Sequence, residues 1–253
     1  MRVPETLRAA AAAVAFLTIA PVGRRVDLDG EDVGRGSVFF PLVGAAIGGA
    51  VGLSAVALDG VLPALVAAAL AVALEAVITG VIHVDALADV ADGLGGGTRE
   101  RALAIMRDPR VGTFGATAVV LDLLVKVAAV LAVLELDRPA LVFVAVWAVG
   151  RSAPLVLASV LPYARADSGS GRTLTDGAGA VRLLIGVALA VAIVVAATGE
   201  RSLAILPAAV VSVLVVGLVA RARFGGVTGD VLGAAVEVTT TVALVGAVAG
   251  QSA

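Results

Sequence analysis

The 253-residue sequence has no cysteine, which excludes both disulfides and thiolate metal sites. Aromatic residues make up only 3%, with one tryptophan and one tyrosine, so an aromatic belt at membrane interfaces is weak. Charge is also scarce. Asp, Glu, Lys and Arg are 15% of the chain, against about a quarter in a soluble domain. The net charge of −2 points to no partner by itself, and no nucleic-acid partner is expected. What fills the chain instead is apolar: 60% hydrophobic residues and a mean hydropathy of +1.09. Most of that bulk is Ala, Val and Leu, with 30 Gly, and small residues let membrane helices approach closely.

A helix needs about 20 apolar residues to cross the hydrocarbon core. Candidate spans are 38–57, 62–82, 113–134, 140–160, 181–198, 203–220 and 231–249. An Ala-rich stretch at 7–20 is shorter and reads as a retained short span or an interfacial helix. It makes a poor signal peptide, because Pro21 follows the small residue Ala20. The expected fold is all-α: a polytopic membrane bundle of about 7–8 helices, forming one domain over 1–253.

The connections alternate. Those at 58–61, 135–139 and 199–202 are short; those at 21–37, 83–112, 161–180 and 221–230 are long and polar. The long set holds Arg24, Arg25, Arg35, Arg99, Arg101, Arg107, Arg110, Arg165, Arg172, Arg221 and Arg223, and the short set only Arg138 and Arg201. The positive-inside rule puts the long loops in the cytoplasm of a protein of the cell membrane.

The longest of these loops carries Asp85, Asp89 and Asp92, spaced i, i+4, i+7, so a helix presents all three on one face. Clustered carboxylates repel unless a cation sits among them, and such hard oxygen ligands suit Mg²⁺ bridging to substrate phosphates. Without a metal, they form a solvated helix end. Asp230 and Glu237 form a second acidic pair, and Glu237 falls inside a span, where an ionisable group is a functional candidate. His83, the only histidine, reads either as a general base or as a neutral imidazole bonding to the aspartates. Gly93–Gly97 allows close approach of a phosphorylated ligand at Gly95 and Gly96, or simply stops the helix. Arg107 and Arg110 are candidates for clamping phosphate oxygens. Glu75, Asp122, Lys126 and Arg151 lie within spans. Asp122 and Lys126 can pair at i, i+4. Arg151 has no local partner and should face the bundle interior or an aqueous cavity, where it and Lys126 are candidates for binding substrate.

The run Ile82–Asp85, the Asp89/Asp92–Gly93 repeat, Arg99–Leu103 and Arg107–Gly115 resemble the cobalamin synthase family, adenosylcobinamide-GDP ribazoletransferase. Phe16–Thr18, Ser37–Gly44, Leu161–Arg165 and Thr228–Ala234 agree as well, so the likeness runs in order through nearly the whole chain. Thr240 departs from it, standing where family members often carry a second glutamate. The resemblance implies transfer from adenosylcobinamide-GDP to α-ribazole or its 5′-phosphate, with release of GMP. Mg²⁺ would be held by Asp85, Asp89, Asp92 and Glu237, with His83 and the aspartates at the reacting centre. Whether the chain forms an oligomer is left open.

Two other readings compete. A CDP-alcohol phosphatidyltransferase also uses clustered aspartates, but its motif fails to continue past Gly93. An ion-coupled transporter would use Glu75, Asp122, Lys126 and Arg151 as coupling sites.

Overall fold

The computed structural model describes residues 4–24, 28–166 and 169–249; Arg25 lies outside them. The helices are α1 (Glu5–Leu17), α2 (Gly30–Gly36), α3 (Phe40–Asp59), α4 (Ala64–Thr79), α5 (Ile82–Leu94), α6 (Arg99–Ile105), α7 (Thr113–Leu134), α8 (Pro139–Val160), α9 (Ser170–Gly177), α10 (Ala180–Thr198), α11 (Ser202–Val219) and α12 (Gly229–Val248). Among the described residues the only β pairing is an isolated bridge between Tyr163 and Val227.

Among the described residues, five runs are long and apolar enough to cross a membrane, or up to six if the bent α4–α5 pair is one span. The longest run, Ala180–Phe224, folds back on itself near Gly199, whose φ is +55°. Gly186 of α10 packs on Leu155 of α8, and Gly217 of α11 packs on Leu157. Residues far apart in sequence thus lie at one level of the bundle, so the run holds two antiparallel helices. The chain is a multi-pass membrane protein whose long apolar helices α3, α7, α8, α10, α11 and α12, with the shorter 16-residue α4, match the expected spans. At 13 residues, α1 is too short to cross by itself. Its buried face of Ala9, Ala12, Ala13 and Leu17 packs against the start of α2–α3.

The central spans are α8 and α12. Their apolar windows are 72% and 67% buried, against 22% for α7 and for the α10–α11 run. Packing of α3 on α8 rests on a glycine stripe. A Cβ at Gly44 would lie 2.2 Å from the Trp147 carbonyl oxygen, and one at Gly48 would lie 2.3 Å from that of Phe143. Only residues without a side chain allow the two backbones so close.

The long connections gather at one end. There α2 meets α9 at Gly34 and Gly177, Arg99 donates to the Ala164 carbonyl (3.1 Å), and Arg223 donates to that of Leu94 (2.7 Å). One connection differs from expectation. Residues 83–94 form a helix, α5, bent by 90° from α4. The bend comes from two consecutive left-handed residues, Gly80 (φ 63°) and Val81 (φ 64°). Glycine adopts that conformation freely, whereas a β-branched valine is strained in it. As a result α5 lies across the end of the bundle, outside the membrane-spanning segments, packed on α7 and on the start of α12.

Candidate active site

α5 is amphipathic by placement. His83, Ala86, Ala88 and Gly93 face inward, leaving Asp85 exposed and Asp89 and Asp92 half-buried. The start of α12 docks against it where Gly233 meets Ala86, too close for a Cβ at position 233. Thr228 caps α12 by accepting from the Val231 amide (3.2 Å). Asp230 sits in that helix's first turn, where the dipole favours a negative charge. Between the two helices lies a cavity of about 270 Å³ whose lining includes His83, Asp85, Asp230, Phe16, Pro154 and Val236.

The aspartates of α5 do different things. Asp89 faces the others: partial burial, then the charges of Asp230, Asp85 and Asp92, push its carboxyl up to about 6, with Arg165 acting in opposition. Asp92 caps α7. Its two oxygens accept from the backbone N–H groups of Gly112 (2.6 Å) and Gly115 (2.8 Å), two of the orphan donors at a helix start. Asp230 accepts from Arg165 (2.8 Å) and from the Thr228 hydroxyl (3.3 Å).

Among the described residues, no three His, Asp or Glu side chains converge closely enough to hold a bare metal ion. What the chain offers is carboxylate in a partly buried setting, where burial and then the neighbouring acids raise the pKa of Asp89. That donor set fits Mg²⁺, which takes one or two protein carboxylates and completes its shell with water and substrate phosphate oxygens. It does not fit a closed all-protein cage.

The other candidate residues divide. Glu237 does not join the aspartates. It lies two turns along α12 from Asp230, about 10 Å away by helix rise, and accepts a hydrogen bond from Lys126. Lys126 also pairs with Glu75 (3.5 Å) and Asp122 (3.7 Å), and Arg151 pairs with Glu75 (2.7 Å) and donates to Thr240 (3.2 Å). Asp122 accepts from the Thr241 hydroxyl (2.7 Å). The result is a buried network linking α4, α7, α8 and α12. Lys126 and Arg151 are paired within it, with Arg151 Nε left without a partner, and neither lines the cavity. The structure therefore brings these two cations to buried carboxylates of the bundle and not to the aspartates of α5.

At the loop end, Arg110 is exposed and held by Asp108 (2.6 Å), which draws the Asp108 carboxyl down to about 2. Arg107 instead lines a separate pocket together with Arg165. Gly96 is tight against α6, where a Cβ would lie 2.6 Å from the Ala102 nitrogen, and Gly95 faces Phe114. Gly96 serves helix packing, while Gly95 stays exposed at the end of α5. His83 is buried, lines the cavity, and leaves Nδ1 without a partner. Arg165 was missed as a site residue. In the sequence it is one more arginine of a long loop, and only the Leu161–Arg165 segment signalled it.

The sequence matches the family described as cobalamin-5-phosphate synthase over residues 9–248. It is similar to the adenosylcobinamide-GDP ribazoletransferase of Pseudomonas paraeruginosa, with 39% identity covering 95% of this chain and 98% of the relative. The enzyme of the same name from Azorhizobium caulinodans is 39% identical, covering 97% of each chain. That of Chlorobaculum tepidum is 40% identical over 89% of each. No solved structure matches the chain.

Proposed function

The chain belongs to the cobalamin-5-phosphate synthase family of transferases, and from that premise we propose that it joins adenosylcobinamide-GDP to α-ribazole or its 5′-phosphate, with release of GMP, at the α5–α12 cavity. The observation that carries the assignment to this cavity is that Asp85 and Asp230, from two different helices, line it together, with Asp89 near enough to feel both charges. Splitting a diphosphate puts negative charge on the leaving GMP, and hard carboxylate ligands suit the cation that offsets it.

One or two of Asp85, Asp89 and Asp230 would hold Mg²⁺, with water and substrate phosphate oxygens completing its shell. When bound, it supplies charge neutralisation of the diphosphate and the leaving phosphate. The chain's own groups do the rest. Asp92 fixes the start of α7 against α5, which sets the direction of the carboxylate face. The attacking ribose hydroxyl loses its proton to a carboxylate lining the cavity, Asp85; burial and then the Arg151 charge push the His83 imidazole down to about 3, too weak a base for this step. The new O–P bond forms as the P–O bond to GMP breaks, and the proton passes to solvent. Glu237 is outside this set, held by Lys126. The site opens to the long-loop end, which arginine placement assigns to the cytoplasm of a cell-membrane protein.

Purified protein in liposomes, given adenosylcobinamide-GDP, α-ribazole and Mg²⁺, should release GMP in step with formation of a joined corrinoid product. Chelation of Mg²⁺ should stop both. GMP release without a joined product, or full turnover without divalent cation, overturns the proposal.

A further inference from the structure

At 13 residues α1 does not span, yet it is held at both ends. Arg8 pairs with the buried Asp32 (2.5 Å). Ala9 meets Gly36 so closely that a Cβ at position 36 would lie 2.5 Å from the Ala9 carbonyl oxygen. Past the other end, the Ile19 amide donates to the Ile78 carbonyl (3.2 Å), just before the α4–α5 bend. Between these anchors, one turn beyond Ala12 and Ala13, Phe16 reaches the wall of the acidic cavity. Its ring stacks on that of the fully buried Phe40, with centroids 5.2 Å apart and planes 18° from parallel. Phe16 itself is only partly buried. Among the described residues it is the one aromatic side chain that lines the cavity, and no step of the transfer uses it.

We propose that Phe16 is the surface on which the planar base of the acceptor stacks, the benzimidazole of α-ribazole or of its 5′-phosphate; the inference rests on the reading of this cavity as the transfer site. A ring already fixed against Phe40 loses little further freedom when a base packs on it. The rest of the lining decides which base. Apart from His83, Asp85 and Asp230 the side chains are apolar, Ile82, Pro154 and Val236 among them. Guanine carries amide and amino groups along its edge, and leaving them unpaired against such walls is costly. The side-chain oxygens that could meet them belong to Asp85 and Asp230, which serve the cation and the attacking hydroxyl. A benzimidazole attached through one ring nitrogen has a hydrocarbon edge and a single other nitrogen, so it loses little by entering. Size agrees. The cavity, at about 270 Å³, falls below the roughly 300–1,000 Å³ of pockets that enclose a drug-sized ligand. It suits a nucleoside and leaves a corrin ring outside. With the base on Phe16, the ribose of the same nucleoside comes beside Asp85, the carboxylate that takes its proton.

The test uses the full chain in nanodiscs. Phe16→Leu removes the ring and keeps apolar bulk, whereas Phe16→Tyr keeps the ring. Steady-state kinetics are measured with α-ribazole and with an α-riboside of plain imidazole, which lacks the fused ring. Stacking of a base on an aromatic side chain is worth roughly a factor of ten. Phe16→Leu should therefore raise KM for α-ribazole roughly tenfold while KM for the GDP-corrinoid holds. The parent's preference for α-ribazole over the imidazole riboside should shrink by the same factor, and Phe16→Tyr should retain it. A purely structural role would lower kcat for both acceptors alike and leave the preference as in the parent. That result overturns the proposal, as does an unchanged KM. So does a rise in KM for the GDP-corrinoid alone, which would put guanine on the ring. Should Phe16→Leu fold poorly, Phe16→Met fills the space against Phe40 with a flexible thioether and carries the same comparison. An absence of transfer by the parent protein would sink the reading of the cavity, whereas transfer by the parent with an unshifted preference in the ringless variants sinks this one.

Discussion

At Asp89, partial burial and then the charges of Asp230, Asp85 and Asp92 raise the carboxyl pKa to about 6 against an ordinary 3.8. A carboxyl whose pKa rises on folding favours the native state when protonated. Its stabilising contribution is therefore present below about pH 4 and lost as pH rises through about 6. A bound cation reverses this balance by displacing the proton. Mg²⁺ should therefore raise the melting temperature more at pH 7.5 than at pH 5, and titration calorimetry in two buffers should show proton release on binding near pH 6. Equal Mg²⁺ affinity at both pH values would remove Asp89 from the metal. Asp89→Asn should lower turnover by orders of magnitude with little loss of stability. Asp92→Ala separates from it, because it removes the α7 cap. A cap is worth roughly 0.5–2 kcal/mol, so this variant should melt at a lower temperature. Arg151 marks the other extreme, fully buried and bound to Glu75 and Thr240. Arg151→Leu leaves Glu75 with one fewer partner in the membrane interior and should cost roughly 3–5 kcal/mol. Arg151→Lys should keep KM for the GDP-corrinoid unchanged, and a raised KM in a stably folded Arg151→Lys would return this residue to the substrate.

Among the elements, the long apolar helices were legible because a run of about 20 apolar residues has few alternatives to spanning. The α4–α5 bend was not. It depends on Val81 taking a left-handed conformation that its side chain disfavours, and no local pattern announces that. The carboxylate face of α5 could be read from its i, i+4, i+7 spacing, but Asp92's partners lie 20 and 23 positions away, beyond any helical periodicity. Likewise Asp122–Lys126 was visible as an i, i+4 pair, whereas Lys126–Glu237 joins two helices that only the packed bundle brings together. The glycine stripe of α3 gives the sharpest element-scale test. Gly48→Val drives a Cβ into the Phe143 carbonyl, while a Cβ at Gly49 meets only a Val144 methyl at 3.7 Å. Overpacking of this kind costs roughly 1–3 kcal/mol. Gly48→Val should therefore melt well below the parent in detergent and Gly49→Val close to it; equal melting of the two would mean that α3 and α8 are not in backbone contact.

For the molecule as a whole, the aspartate cavity and the long connections lie at one end, and the short connections lie at the other. The single-end arrangement is geometric; which compartment that end faces follows from charge alone. Eleven arginines in the long connections stand against Arg138 and Arg201 in the short ones. Each long connection contributes to the bias, so moving one would not reverse the orientation. The absence of native cysteine makes this directly testable, since any introduced thiol is the only one in the chain. Gly97 lies exposed next to the acidic helix with a left-handed backbone and open space around it, and Asp137 lies exposed in the turn between α7 and α8. A cysteine at Asp137 should react with an impermeant maleimide added to intact cells, and one at Gly97 only after the membrane is opened. On the proposed reaction the nucleotide-activated corrinoid reaches the aspartates from the compartment that supplies nucleotides, so labelling of Gly97→Cys in intact cells would turn the cavity away from its substrates. That outcome would sink both the orientation and the assignment of the transfer site to this end of the bundle.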